Sequence, residues 1–501
     1  MKNNYLRKKT PIMGWASWNC FGTNINEKIL KEQAAALVTT GLAECGYNYF
    51  NIDDGFFGGR GDNGRILIHR ERFPNGIKVL ADYVHSLGLK AGIYAEGGDN
   101  TCGFLEKEGA NGKNVGLYGY EEQDIRMYLE EFEFDYIKVD WCGGLRLGLD
   151  EREQYTKIGN IIDQIREETG RIIVYNVCRW QFPGEWVAEV ADSWRTGGDI
   201  QPQFSSILHQ IDNVKSLAYY CGPGHVNDLD MMQIGNGLSE EEEKTHFSMW
   251  CMMSSPLIIG CNLTTISEKA LEILKNKEMI SINQDEACQQ AFLTKQVFNG
   301  KEELIGEIWL KNLGMQHSRK KAVAFLNRGE ETLVIRASIE ELGLAGDIIS
   351  VRDVWSHQEI KLAQEFQVTV PPHGVVIYVV EASACGIERN LYEVENNWLK
   401  NIQEKNTLTD EEVRGLLKEG ALLIDVREPQ EYEEAHLPQA INLSYTGIHV
   451  NARVYLPDKE QTIIVYCKTG KRCGQAKQSL TYLGYKNVYD WKVEVIGNDE
   501  V

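Results

Sequence analysis

The chain has 501 residues, more than one ordinary domain holds, and that length points to roughly three domains. With 52 Lys and Arg against 73 Asp and Glu the formal net charge is -21, which argues against nucleic acid and anionic membrane surfaces as partners and suits a neutral substrate. No stretch reaches the roughly 18 consecutive apolar residues of a membrane span, and the twelve cysteines show neither a disulfide-scaffold density nor paired CxxC motifs for zinc. The opening residues MKNNYLRKKTPIMGW lack the apolar run of a secretory signal. These features predict a reduced, cytoplasmic protein with no metal and no cofactor.

From residue 11 to about 288 one unit recurs: a short apolar strand, a polar or Gly-rich loop, then an amphipathic helix. The pattern predicts strands at Ile12–Trp18, Tyr49–Asp54, Lys90–Glu96, Tyr136–Trp141, Ile172–Val177, Ser193–Asp199, Val226–Met231 and Pro256–Cys261. Helices are predicted between them, as at Glu27–Leu42, Ile77–Leu87, Glu121–Glu131, Gln154–Glu168 and Ser239–Met252. Eight alternations of this size predict a (β/α)8 TIM barrel over residues 1–289, whose chemistry belongs at the C-terminal strand ends.

Those strand ends are rich in carboxylates and aromatics. In strand order they offer Trp15 and Trp18; Asp53 and Asp54; Tyr94 and Glu96; Lys138 and Asp140; Cys178, Arg179 and Trp180; Arg195 and Asp199; and Asn227, Asp228 and Asp230. One Asp ending the strand Tyr136–Ile137–Lys138–Val139–Asp140 could simply cap the next helix. A consecutive run of strand ends of this composition is much harder to ascribe to capping. A carboxylate at the end of an apolar strand is costly unless it is used. Paired carboxylates with aromatic platforms suit sugars: glycoside cleavage needs a carboxylate and a carboxylic acid, and pyranose faces pack on aromatic rings. The alternative for Lys138 and Arg195 is structural ion pairing.

From about 290 to 382 short β segments alternate with turns such as Asn327-Arg328-Gly329 and Pro371-Pro372-His373-Gly374, which predicts an antiparallel β-sandwich. Residues 383–406 read as a polar linker with a helical stretch at Glu388–Lys405. Residues 407–501 alternate helix and strand (Asp410–Glu419, Leu422–Val426, Thr462–Cys467, Gly474–Leu483) and predict a compact α/β domain.

The segments TPIMGWASW, GYNYFNIDDGF, RFPNGIKVLADYVHSLGLKAGIYAEGGDNTCG, FDYIKVDWCGG, SWRTGGDI and NDLDMMQIGN lie in order and resemble glycoside hydrolase family 27, the α-galactosidase (melibiase) and α-N-acetylgalactosaminidase group. The resemblance implies a retaining exo-glycosidase releasing terminal α-D-galactosyl residues from a galactose-containing oligosaccharide or glycoside. It makes Asp140 the nucleophile and Asp199 the acid/base. It places Asp53 and Asp54 on the sugar 4- and 6-hydroxyls and Trp18 as an aromatic wall. Tyr94, Lys138, Arg195 and Asp230 become further sugar contacts; Cys178, Arg179 and Trp180 join the substrate-binding residues, and the Arg179 position faces the substituent on carbon 2. Arg179 departs from the family's usual Glu or Ser and favours a plain 2-hydroxyl. Glu96 stands for a usual Asp, and Val226 and Leu229 depart from a usual Trp and Pro. Other family specificities remain alternatives: α-N-acetylgalactosaminidase, β-L-arabinopyranosidase or a modified, anionic sugar. Cys102 and Cys142 match a pair that secreted relatives join as a disulfide; in a reduced compartment free thiols are expected.

LLIDVREPQEYEEAHLPQAINL followed by IIVYCKTGKRCGQA resembles a rhodanese domain. The resemblance implies that Cys467 carries sulfane sulfur within the loop Lys468, Thr469, Gly470, Lys471 and Arg472, with a sulfur donor or acceptor as partner. A Cys between a strand and a helix N-terminus, beside Lys and Arg, has a lowered thiol pKa. Asp425 and Arg427 match a structural pair, with His436 nearby. The alternatives are a docking module, a sulfurtransferase whose barrel only binds sugar, and a silent scaffold. A homo-oligomer stays open.

Overall fold

Short apolar runs ending in polar residues give the barrel its strands. The structure, a computed structural model, describes residues 6–105, 112–314, 318–361, 365–388, 390–391 and most of 408–493. The chain forms two compact units, 1–393 and 394–501.

The first unit begins with β1 (Met13–Ala16) and β2 (Tyr49–Ile52), followed by a hairpin of β3 (Phe57–Arg60) and β4 (Ile66–Ile68). Then come β5 (Lys90–Glu96), β6 (Tyr136–Asp140), β7 (Val174–Val177), β8 (Ser193–Arg195), β9 (Val226–Asp228) and β10 (Leu257–Ile259). Apart from the hairpin these strands form one parallel sheet in the order β10-β1-β2-β5-β6-β7-β8-β9. A parallel bridge from Met232 to Ile259 closes the ring. The sheet is thus the predicted (β/α)8 barrel, with long amphipathic helices such as Glu27–Thr39, Gly76–Ser86 and Glu151–Thr169, and the largely buried helix Glu240–Met252, around it. Inward residues fill one end of the barrel with a layer of Ile12, Ala16, Tyr49, Tyr136, Val174 and Ile258. That filling confines the chemistry to the opposite, C-terminal mouth.

An antiparallel sandwich completes the unit. β11 (Phe292–Phe298), β12 (Leu304–Asn312), β13 (Lys320–Asn327), β14 (Leu333–Ser338), β15 (Leu344–Asp353), β16 (Gln358–Glu359), β17 (Glu365–Val370) and β18 (Val375–Cys385) form a six-stranded sheet and a β14–β17 pair. Alternating residues of both sheets make its core, including Ile308, Phe325, Ile335, Phe366 and Val380. Buried charges tie sandwich to barrel. Lys215 meets Glu307 at 2.5 Å, and Arg328 bridges Asp212 at 2.8 Å and Glu307 at 3.1 Å. Burial works against the Asp212 charge, but Lys215 and Arg328 outweigh it and hold the carboxyl at about 2.

In the second unit β19 (Leu422–Asp425), β20 (Ile441–Asn442), β21 (Thr462–Cys467) and β22 (Asn487–Lys492) form a parallel sheet in the order β20-β19-β21-β22. The helix Asp410–Lys418 enters through a capping box between Thr409 and Glu412. The linker helix expected at Glu388–Lys405 falls mostly, and that at Gly474–Leu483 partly, outside the described residues.

Candidate active site

Seven barrel strands deliver the site. One pocket at the mouth is lined by Trp18, Asp53, Asp54, Tyr94, Lys138, Asp140, Trp180, Arg195, Asp199 and Asp230. These are ten of the predicted barrel residues, drawn together from positions 18 to 230. Asn19, Cys102 and Met231 line it as well. Their signal in the sequence was only adjacency, to Trp18 and Asp230, and for Cys102 the family likeness.

Asp140 is the last residue of β6 and is 6% exposed. Its Oδ1 has no hydrogen-bond partner. Burial pushes its carboxyl up to about 7; Lys138 and a hydrogen bond from Cys178 act the other way, while Asp199 and Asp53 add to the rise. An oxygen whose lone pairs no donor occupies is one that can attack.

Asp199 lies beyond the end of β8 and its side chain is 48% exposed, so it can exchange a proton with solvent. The strand stops at Arg195 because Gly197 and Gly198 follow. Arg195 Nη2 donates to the carbonyls of Gly197 (3.1 Å) and Gly198 (2.9 Å) and to Asp199 Oδ1 (3.0 Å). The same guanidinium meets Asp230 Oδ2 at 2.8 Å, so its charge is shared between two carboxylates.

Asp230 takes a backbone φ of 82°, in the left-handed region, where an Asp is tolerated but held at a cost. Its surroundings hold it there. Its side chain accepts from the backbone N–H groups of Ile200 (2.9 Å) and Met231 (2.7 Å), and its carbonyl accepts from Trp250 Nε1 (2.8 Å). Burial pushes its carboxyl up to about 6 against the opposing pull of Arg195.

On the other side of the pocket Lys138 Nζ donates to Asp53 Oδ2 at 2.9 Å and sits 5.5 Å from the Tyr94 ring centroid. Burial alone would lower the Lys138 ammonium; Asp53 and the other acidic groups more than reverse this. Both readings of Lys138 therefore meet in one residue, an ion-pair partner that also favours the ionised form of Asp140. Asp54 accepts from the N–H groups of Gly55 (2.7 Å) and Gly103 (3.1 Å), and burial pushes its carboxyl up to about 6.

Other expectations are corrected. Trp15 does not reach the pocket: it stacks on Phe50 at 4.7 Å and donates to the Cys261 carbonyl, as a core residue. Cys178 and Arg179 are not among the pocket-lining residues. Cys178 lies buried against Asp140 and Arg195. Arg179 turns to Glu151, with Nε 3.1 Å from Oε2, and covers the Trp180 ring at 5.8 Å. A buried guanidinium needs an anion, and Glu151 supplies it. Trp180 alone of the three lines the pocket.

The expected free thiols at Cys102 and Cys142 are also corrected: the two are joined in a disulfide. They follow the ends of neighbouring strands β5 and β6, which brings their Cα atoms to 5.2 Å. Glu96 organises the same region. It accepts from the N–H groups of Gly98 (2.9 Å), Cys142 (3.1 Å), Gly143 (3.0 Å) and Gly144 (3.3 Å). Burial and the nearby Asp140 push its carboxyl well up.

In the second unit Cys467 ends β21 and is buried, as is Cys473. Lys468 is exposed and Arg472 is paired with Glu431, one contact measuring 3.0 Å. Thr469, Gly470 and Lys471 lie outside the described residues. Asp425 and Arg427 pair at 2.6 Å, and His436 Nδ1 lies 2.8 Å from the Tyr432 carbonyl.

A TIM barrel carrying acidic and aromatic strand exits, backed by a β-sandwich, defines a barrel glycoside hydrolase. The family model described as Alpha galactosidase A matches residues 10–285, and the chain belongs to that family. The Alpha galactosidase C-terminal beta sandwich domain matches residues 306–380 and the Rhodanese-like domain residues 409–492. The chain is similar to Alpha-galactosidase A of Cellvibrio japonicus, at 37% identity over 393 residues, covering 74% of this chain and 91% of that protein. It is also similar to Alpha-galactosidase of Oryza sativa subsp. japonica, at 38% identity over 377 residues, covering 74% and 85%. Among solved structures it resembles alpha-galactosidase I from Mortierella vinacea, with a TM-score of 0.66 and 28% identity over 75% of this chain and 98% of that one.

Proposed function

We propose that the barrel hydrolyses terminal α-D-galactosides with retention of configuration. The observation that carries this reading is the pairing of a buried Asp140, one oxygen without a partner, with a solvent-reachable Asp199 across the same pocket. Asp140 attacks the anomeric carbon while Asp199 protonates the departing oxygen. Asp199 then takes a proton from water, and the water releases the sugar. Asp53, Asp54 and Lys138 form a hydroxyl-binding edge, and Trp18 and Trp180 offer ring faces. The space left at Asp54 favours a sugar that keeps its hydroxymethyl group. Relatives named as α-galactosidases support the sugar assignment.

The test is p-nitrophenol release from an α-galactoside, an α-N-acetylgalactosaminide and a β-L-arabinopyranoside. A clear preference for the α-galactoside, falling at least ~10³-fold in kcat for Asp140→Asn, supports the reading. Turnover of another substrate in its place, or an unimpaired mutant, refutes it.

For the second unit the proposal is sulfane-sulfur carriage on Cys467. A cytoplasmic location belongs to the same proposal. The ten cysteines that form no disulfide support it; the Cys102–Cys142 bond must then persist in that compartment.

A further inference from the structure

The rhodanese-like unit holds a second thiol that sulfur carriage on Cys467 does not use. Cys473 Sγ lies 3.1 Å from Cys467 Sγ, six residues along the chain. It is fixed from the other side by a weak hydrogen bond to the Trp491 carbonyl, at 3.6 Å on β22. Both cysteines are 0% exposed. A small inorganic donor fits such a site better than a bulky thiol does, so the sulfur nearest to a loaded Cys467 is the protein's own.

The hydrogen bond to Cys467, together with burial, pushes the Cys473 thiol far up, so Cys473 keeps its proton beside the Cys467 sulfur. Once Cys467 carries a sulfane sulfur, the negative charge moves one atom outward. The reason for Cys473 to stay protonated then weakens.

We propose that Cys473 is the resolving thiol of a two-cysteine sulfide-releasing site. This rests on the reading of Cys467 as the sulfane carrier. In the loading step the Cys467 thiolate takes the outer sulfur of thiosulfate and sulfite departs, leaving a persulfide. In the second step Cys473 attacks Cys467 Sγ, and the Cys467–Cys473 bond forms as the bond to the sulfane sulfur breaks. The sulfane sulfur leaves, reduced to hydrosulfide, and carries the Cys473 proton with it. A dithiol reductant resets the pair to two thiols.

The experiment uses the full chain, reduced, freed of reductant and treated with thiosulfate without added thiol. Sulfite and sulfide are measured together, and the 467–473 peptide is weighed without reduction. Wild type is expected to release sulfite and sulfide in equal amounts and to yield a peptide two hydrogens lighter. Cys473→Ser, with Cys473→Ala as a second variant checked by circular dichroism, is expected to release sulfite alone and to stay one sulfur heavier. Cys467→Ser should release neither. A wild type that releases sulfite and keeps the extra sulfur, as the Cys473 variants do, overturns the inference and leaves the carrier reading standing. A wild type that releases neither sulfite nor sulfide, with Cys473 variants that gain no sulfur from thiosulfate or inorganic polysulfide, removes the carrier reading and the inference with it.

Discussion

Asp140, the proposed nucleophile, sits in a conflict. The strand that places it also buries it, and burial resists its charge until the carboxyl titrates near 7. Two consequences follow from the sign of that shift. Below about 7 the carboxyl is protonated and cannot attack, so the acidic limb of kcat/KM is expected near 7 rather than near the ordinary value of about 4. Cys178→Ala removes a hydrogen bond to the charged form and is expected to move the limb further up. A limb near 4 in both proteins would refute this. The second consequence concerns stability. The folded-state pKa is raised, so the native state holds the proton more tightly than the unfolded chain, and stability falls as pH rises from about 4 to about 7. Asp140→Asn should therefore melt a few degrees higher than wild type at pH 8, with the gain gone at pH 4. Equal melting differences at both values would contradict it.

At the scale of elements, the turn after β6 depends on close approach. Gly98 packs so tightly that an added Cβ would lie 2.0 Å from the Gly143 carbonyl carbon. Its neighbours are backbone pinned by Glu96 and cannot yield cheaply. Gly98→Ala is expected to cost about 2–3 kcal/mol, read as a fall of several degrees in the melting temperature and a larger fall in activity; an unchanged melt would show that the turn can shift. Much of this scale was legible in the sequence. β5 was readable at both ends because Lys90 and Glu96 bracket an apolar run, and the other seven barrel strands sit within their predicted spans. The β3–β4 hairpin was not, because Phe57-Gly58-Gly59-Arg60 has little strand propensity. β11 was not either, because Phe292-Leu293-Thr294-Lys295-Gln296-Val297-Phe298 does not alternate apolar and polar residues and falls where barrel gives way to sandwich. The side-chain pairings were hidden for another reason. Lys138 meets Asp53 across 85 residues and Arg179 meets Glu151 across 28, so residue type marks these groups as polar strand exits without saying which will face the pocket.

For the whole molecule, one covalent link sits beside the chemistry. Cys102 lines the pocket and Cys142 follows Asp140 by two residues, so their disulfide holds both in place. Thiol titration of the denatured, unreduced chain is expected to give ten groups, matching the ten cysteines that form no disulfide, and two more after reduction. Twelve before reduction would restore the free thiols expected for a reduced compartment. The family likeness named this pair in the sequence, 40 positions apart; the expectation of a reduced compartment set the bond aside. The central claim is that Asp140 forms a covalent bond to the sugar, and trapping that bond tests it most directly. A fluorinated galactosyl substrate with a good leaving group forms the intermediate faster than water clears it. The account predicts one sugar added to the peptide bearing Asp140 and none in Asp140→Asn. A sugar on the Asp199 peptide, or turnover with inverted product and no adduct, would contradict it.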